Sequence, residues 1–296
     1  MDLVKIGFVI LNYNSWRMTS DLAWEVASYK NIDAVVVVDN DSSEDHQEYL
    51  KRLYHKKIHM VRSGKNGGYS YGNNCGAKIC KDMGMEIAFF ANPDVLVKEE
   101  DIQKILDQFM KTDYPILSCV EYIRPGEMAQ PPFSRRRDYW DDLMDCFFLG
   151  RKFGGKTFSV GLDKNVAVQR VEMVKGSFFA VRLDDLIEIG GFDERVFLYC
   201  EERILSKRAE DLGKKMGIVT DAGYIHTHSA SIQKECKKAG DRIKMLYTSR
   251  AYYHKTYTKI KGMKYWLLLS AMKISVLEYR IRDIIRMKRR TEEADG

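Results

Sequence analysis

Asp94 sits in the setting most plainly suited to chemistry. It follows Ile87–Ala91, five apolar residues too few for a helix, which predict a buried parallel strand. Pro93 ends that strand because it fixes φ and has no N–H to donate. Asp94 is thereby placed at the carboxyl end of a central strand, where open α/β sheets hold their ligands. A lone carboxylate there suits a hard divalent cation shared with substrate phosphates. The alternative is that Asn92-Pro93-Asp94 is only a turn. A second stretch, Asn66-Gly67-Gly68 through Gly76, is rich in glycine and asparagine. Its glycines permit close backbone approach and exposed N–H groups near a helix start, a place that favours anions. The spacing is neither GxGxxG nor GxxxxGK[ST], so on spacing alone it reads as a Gly-rich turn.

The elements that position these residues follow from periodicity. Lys5–Leu11 predicts the first strand, and Ser15 is placed to cap a helix reaching about Tyr29, with Trp16, Leu22 and Val26 facing inward. Ala34–Val38 and Ile58–Arg62 predict further strands, separated by a helix over roughly Glu44–Leu53. A helix after the glycine stretch ends at Gly84, another spans about Glu99–Met110, and Ile116–Val120 is again a strand. Such alternation predicts an α/β fold, a mostly parallel, doubly wound sheet with helices on both faces.

From Glu121 to Asp163 the periodicity breaks down. Pro125, Pro131 and Pro132, the run Arg135-Arg136-Arg137, and the aromatics Tyr139, Trp140, Phe147, Phe148 and Phe153 predict a long, mobile loop region of the kind that carries specificity. Val168–Val174 reads as a strand that Gly176–Arg182 continues; a helix over Asp184–Ile189 follows. Phe197-Leu198-Tyr199-Cys200-Glu201-Glu202 opens a helix ending at Gly213, and Met216–Val219 and Gly223–Ile225 predict two short strands closed by His226-Thr227-His228. The sheet region is expected to end near residue 235, dividing the chain into 1–235 and a helical segment, 236–296.

Composition narrows the class. Of the 296 residues 45% are hydrophobic, enough for a sizeable core. The six cysteines are scattered without a CxxC pair, which argues against a disulfide framework or zinc site and for a reducing cytosol. No signal-peptide pattern and no apolar run of spanning length are present, so a cytoplasmic protein is expected. Net charge is +6, but residues 261–290 hold nine Lys/Arg against two Asp/Glu, leaving −1 for the rest. One basic face, rather than a nucleic-acid binder, is expected. That segment also carries an apolar stripe (Trp266 to Leu269, Met272, Ile274, Val276, Leu277). Apolar and basic together fit a helix lying on the inner face of an anionic membrane, or one packed on the catalytic domain or a second subunit of a homodimer.

Taken in order, Val9–Asn14, Val38–Ser42, Asn66–Asn73, Asn92-Pro93-Asp94, Gly190-Gly191-Phe192-Asp193-Glu194, Phe197–Glu202 and Ile225–His228 resemble a family 2 glycosyltransferase with the GT-A fold. The similarity is to the bacterial branch of rhamnosyl- and related transferases that build surface polysaccharides, and it covers Ile6 to about Ser229. It implies transfer from a nucleotide-sugar donor (dTDP-rhamnose or a UDP-hexose) to a saccharide or lipid-linked saccharide. It also implies roles at matching positions. Asp39 and Asn12 would line the base pocket; Asn66, Gly68 and Asn73 would border the nucleotide and its ribose. Asn92 belongs to the same donor site. Asp94 matches the last aspartate of the DxD motif, and His226 a histidine that completes the shell of Mn²⁺ or Mg²⁺. Glu202 falls at the catalytic base, with Glu201 beside it to orient the acceptor or act as base itself; His228 would sit behind the site.

Such chemistry is coherent. A metal would act as Lewis acid on the leaving diphosphate, and a single base assisting direct displacement gives inversion at the anomeric carbon. Imidazole favours Mn²⁺ somewhat over Mg²⁺. Two positions depart from the family: Glu202 replaces the usual Asp, and Ile204 stands where relatives often carry another acid. An ion pair to Arg203 or Arg208 is the structural alternative for either glutamate. The competing functions are a catalytically impaired homologue that binds nucleotide or partner, and a sugar nucleotidyltransferase. The latter lacks its Gly-rich loop, because Asn12-Tyr13-Asn14 follows the first strand.

Overall fold

The computed structural model describes residues 4–43, 47–51, 53–129, 135–147, 161–227 and 239–294. Two compact units divide the chain: Met1–Arg136 with Ser159–Phe197 and Glu201–Ser229, and Arg137–Phe158 with Leu198–Cys200 and Ala230–Gly296.

The first unit opens with β1 (Ile6–Asn12), α1 (Trp16–Ala27), β2 (Ala34–Asp39), α2 (Gln47–Leu50), β3 (Ile58–Arg62) and α3 (Gly68–Asp82). It continues through β4 (Ile87–Ala91), β5 (Val95–Val97), α4 (Glu99–Lys111), β6 (Ile116–Arg124) and β7 (Glu127–Met128). After α5 (Tyr139–Asp145), which belongs to the second unit, come β8 (Val168–Val171), β9 (Phe178–Arg182), α6 (Leu183–Ile189), α7 (Glu201–Asp211) and β10 (Met216–His226). One sheet has the order β3-β2-β1-β4-β9-β6-β10-β5. The first four strands run parallel, and β9 is inserted antiparallel between β4 and β6.

Apolar residues occupy both faces, as the unbroken runs in β1, β2 and β4 require. Phe8, Phe89 and Phe178 stack across three neighbouring strands with ring centroids 5.9 and 5.7 Å apart, on the face covered by α1 and α4. Val9, Val36, Phe90 and Phe179 face the other way, with Leu186 of α6 and Leu205 of α7. Trp16, Leu22 and Val26 are buried on α1 as expected.

Several local expectations are corrected. The Gly-rich stretch is not a loop: α3 begins at Gly68, and Gly72 and Gly76 lie one turn apart on the face pressed against β1. A Cβ there would come within 2.2 Å of Leu11 and 2.3 Å of Val9, so these glycines let helix and sheet approach closely. Ser15 does not cap α1 with its side chain; Asn12 Oδ1 accepts from Ser15 N at 3.3 Å instead. Gly176–Arg182 does not continue the preceding strand, because β8 pairs with β10 whereas β9 pairs with β4 and β6. The two short strands after Gly213 are one, β10, whose register with β6 shifts between Val219 and Gly223. The loop expected after Glu121 is partly ordered: β6 runs on to Arg124, turns back as β7, and α5 follows with a complete Asp138–Asp141 capping box. Phe148 and Phe153 lie outside the described residues, as does the start of the helix expected from Glu44.

The second unit contains α5, α8 (Ala239–Thr256) and α9 (Gly262–Ala294). Tyr139, Leu143, Tyr247, Leu268 and Met272 form its apolar core. Asp142 is fully buried, and a histidine and two arginines meet it: His254 Nε2 at 2.9 Å, and Arg137 Nε and Arg250 Nε both at 3.3 Å. Among the described residues no helix is long and apolar enough to cross a membrane.

Candidate active site

The proposed site residues in the first unit stand at strand ends, in the turn between β4 and β5, or at helix starts, except Asn73, which lies inside α3. Asn12 and Asp39 close β1 and β2 in register with each other. Both are buried, and Asn12 Nδ2 donates to Ser42 Oγ at 3.0 Å, while Asp39 Oδ1 accepts from Ser42 N at 3.1 Å. Asn40, to which no role is assigned from sequence, ties this edge to α3: its Nδ2 donates to Asn66 Oδ1 at 3.1 Å and to Gly68 O at 3.2 Å. Asn66 Oδ1 also accepts from Gly68 N at 3.2 Å. Gly68 has φ +84°, and a Cβ would lie 2.0 Å from the Phe197 carbonyl oxygen, so only glycine fits. Asn73 is buried one turn further along and donates back to Tyr69 O at 3.1 Å. Asp41, with φ +63°, is a turn residue paired to Arg62 at 2.9 Å.

A second group forms where β4 turns into β5. Val95 N donates to Asn92 O at 3.2 Å, so Asn92-Pro93-Asp94 is indeed a turn, and it is also what aims Asp94. Strand β5 pairs antiparallel with β10, placing Val95 opposite His226. Asp94, one residue earlier, is thereby brought to His226: Oδ1 lies 3.2 Å from Nε2. The other ring nitrogen, Nδ1, is 3.0 Å from Glu121 Oε1 at the end of the apolar run in β6. Glu121 Oε2 in turn accepts from the Lys175 ammonium. Burial opposes a charge on His226, but hydrogen bonds to Asp94 and Glu121 outweigh it and raise its pKa to about 9. For Glu121, burial pushes the carboxyl up, yet His226 and Lys175 hold it below the usual range. His228 lies outside the described residues.

The donor set of Asp94 and His226 fits a divalent cation. One carboxylate and one imidazole sit side by side, with a carboxylate behind the ring to orient it. Among the described residues no cluster of three or more His, Cys, Asp or Glu forms a full cage. An arrangement with two protein ligands leaves coordination positions for phosphate oxygens and water.

Glu201 and Glu202 start α7 after Tyr199 and Cys200, both in the left-handed region with φ +71° and +70°. Two consecutive non-glycine residues there represent stored backbone strain of the kind found at working sites. Glu201 is buried at 4% exposure, whereas Glu202 is half-buried and accepts from Gly176 N at 3.1 Å. Burial raises the Glu202 pKa against the pull of that bond, which suits a carboxylate that takes up a proton. Ile204 is fully buried in the core. Arg208 donates to Gly190 O and Gly191 O and meets Asp193 at 3.4 Å.

Asn40, Glu121, Lys175 and Gly176 are the residues that sequence reading left without a role. Glu121 had a signal: a carboxylate closing an apolar strand, as Asp39 does.

A model of "Glycosyl transferase family 2" matches residues 8–170. The low-salt glycan biosynthesis hexosyltransferase Agl10 of Haloferax volcanii is 34% identical over 226 residues, covering 76% of this chain and 67% of the relative. Rhamnosyltransferase WbbL of Escherichia coli is 24% identical over 229 residues, covering 62% of this chain and 80% of the relative. Among solved structures, GalNAc-T7 with UDP, GalNAc and Mn²⁺ superposes with TM-score 0.59 at 15% identity; the match takes in 76% of this chain but only 44% of that one. The sheet is that of GT-A glycosyltransferases. On sequence and fold together, this protein belongs to glycosyl transferase family 2.

Proposed function

We propose that the protein transfers a hexosyl or rhamnosyl group, with inversion, from a nucleotide-sugar donor to a growing surface polysaccharide or lipid-linked oligosaccharide. The observation carrying this reading is the pairing of Asp94 with His226 at 3.2 Å, side chains from distant parts of the chain joined by β5–β10 pairing. Asp94 and His226 would hold Mn²⁺ or Mg²⁺, which would neutralise charge developing on the leaving diphosphate. Asn12 and Asp39 offer a polar, buried edge for the base. Asn66, Gly68 and Asn73 border the nucleotide and its ribose, and Asn92 shapes the turn beside the diphosphate. Glu202 takes the acceptor hydroxyl proton as that oxygen attacks, and Glu201 orients the acceptor. Glu202 rather than Glu201 is assigned as base because it is the more accessible of the two.

The experiment is a donor screen. UDP-, dTDP- and GDP-sugars are supplied with Mn²⁺ and a lipid-linked saccharide acceptor, nucleoside diphosphate release is measured, and the product anomer is read by NMR. Release with inversion supports the reading; release of pyrophosphate, or retention, overturns it.

The same reading places the protein at an anionic membrane surface. Helix α9 has two apolar faces. Leu268, Ala271, Met272 and Ser275 are buried within its own unit, whereas Met263, Leu267, Ile274, Leu277, Ile281 and Ile284 share an exposed face, at helical spacing but for the interval from Leu267 to Ile274 where Ser270 stands. Lys264 and Arg282 flank that face on one side and Lys273 and Arg280 on the other, with Glu278 the acid between them. A second copy would bring like charge onto like charge, whereas an anionic lipid surface complements it.

A further inference from the structure

Lys175-Gly176-Ser177 lies just ahead of β9 and belongs to no strand or helix. Each of its residues reaches a different part of the site. The Lys175 ammonium donates to Glu121, whose other oxygen is 3.0 Å from His226 Nδ1. Gly176 N donates to Glu202 Oε1 at 3.1 Å, and Gly176 O accepts from Tyr69 Oη at 2.6 Å, on the first turn of α3. Ser177 O accepts from Asn92 N at 2.9 Å, and Ser177 Oγ is 2.8 Å from Tyr224 Oη, two residues before His226.

We infer that Lys175-Gly176-Ser177 is a positioning brace, which holds the metal-side histidine and the base-side carboxylate in a fixed spatial relation. The inference rests on the roles proposed above for His226 and Glu202. Its physical basis is that neither partner can be set correctly without it. Glu121 has a side chain only 2% exposed, so its carboxylate needs a buried partner to hold it in place. Lys175 is that partner on one oxygen and leaves the other for the imidazole. A carboxylate behind a ligating histidine fixes the ring and its tautomer, and loss of such a partner lowers metal affinity by roughly 10–100-fold. On the other side, a Cβ at Gly176 would stand 2.3 Å from Glu202 Oε1, so any side chain there displaces the base.

Two variants separate the arms. Lys175→Met is predicted to weaken Mn²⁺ binding, read by electron paramagnetic resonance with UDP present, by about tenfold or more, with partial recovery in Lys175→Arg. Gly176→Ala is predicted to leave Mn²⁺ affinity within twofold while lowering kcat at saturating Mn²⁺ by about tenfold or more. Turnover is read as nucleoside diphosphate released from UDP-glucose, dTDP-rhamnose or GDP-mannose. Thermal melts confirm that both variants are folded. A segment that merely stabilises the fold would shift both readouts together in both variants, and that result overturns the inference. So does Mn²⁺ affinity unchanged in Lys175→Met while Asp94→Ala abolishes it. If Asp94→Ala itself leaves Mn²⁺ binding intact, the proposed metal site falls, and the inference with it.

Discussion

Gly68→Ala gives a quantitative test of how the donor edge is joined to the segment carrying the glutamates. Two terms oppose alanine. The left-handed backbone at φ +84° costs a non-glycine residue about 1–2 kcal/mol. The new Cβ would meet Phe197 O at 2.0 Å, so the strand of contacts there must open by more than an ångström. That carbonyl accepts the Tyr69 N–H at 3.1 Å, and losing the bond removes about 0.5–1.5 kcal/mol. The expected destabilisation is therefore about 1.5–3.5 kcal/mol. Gly84 is the internal control: its φ is +78°, but nothing lies within 4 Å of a Cβ, so Gly84→Ala should show only the backbone term. Urea unfolding of both variants and of wild type gives the difference between them directly. Displacement of Phe197 also moves the chain leading into Tyr199, Cys200 and Glu202, so Gly68→Ala should lose turnover while Gly84→Ala keeps it. Equal destabilisation of the two variants, with equal activity, would refute the reasoning.

Glu202→Gln should lower kcat by roughly 10²–10⁴ while leaving nucleotide binding unchanged; full turnover would remove Glu202 as base. Since burial raises the Glu202 pKa and the base must be ionised, kcat should fall on the acid side, with that limb shifted upward within or from the ordinary carboxylate range. A flat kcat profile through that range would contradict the assignment. In metal-stripped protein His226 is raised from 6.5 to about 9, so its ion pairs contribute stability that is fully present below pH 6.5 and lost as pH rises through about 9. Unfolding measured across that window should show a decline of up to about 3 kcal/mol that His226→Gln abolishes. On the lipid side, wild type should sediment with phosphatidylglycerol vesicles but not with phosphatidylcholine ones, and Ile274→Glu with Leu277→Glu should release it. Binding to neither vesicle, or self-association lost in the same variant, would assign that face to another partner.

How much was legible from sequence follows the range of the interactions involved. Asp94 was readable because a local signal, an apolar run stopped by proline, fixes its place. Asn92-Pro93-Asp94 is a turn, and that turn brings Asp94 to His226, so the turn does not exclude the proposed ligand role. Glu121 and Lys175 were not readable as a pair with His226, because their meeting depends on β6, β10 and β5 lying side by side. The merging of β8 and β9 into one strand had the same origin. Their residues share a β-type pattern, and only the sheet order sends them to different partners. In α3 composition misled: glycine suggests a turn, whereas the four-residue spacing of Gly72 and Gly76 marks a helix face pressed against strands, and Gly68 at the helix start makes room for the Phe197 carbonyl. Gly176 carried no local mark at all, because what it must avoid is a carboxylate on a distant helix.

In the proposed function Asp94 and His226 hold a divalent cation on which the donor diphosphate rests. Calorimetry of UDP, dTDP and GDP, with and without Mn²⁺, in wild type and in Asp94→Ala, tests it most directly. One nucleotide should bind wild type only with Mn²⁺, and Asp94→Ala should lose this binding. Nucleotide binding that ignores both Mn²⁺ and the substitution would contradict it.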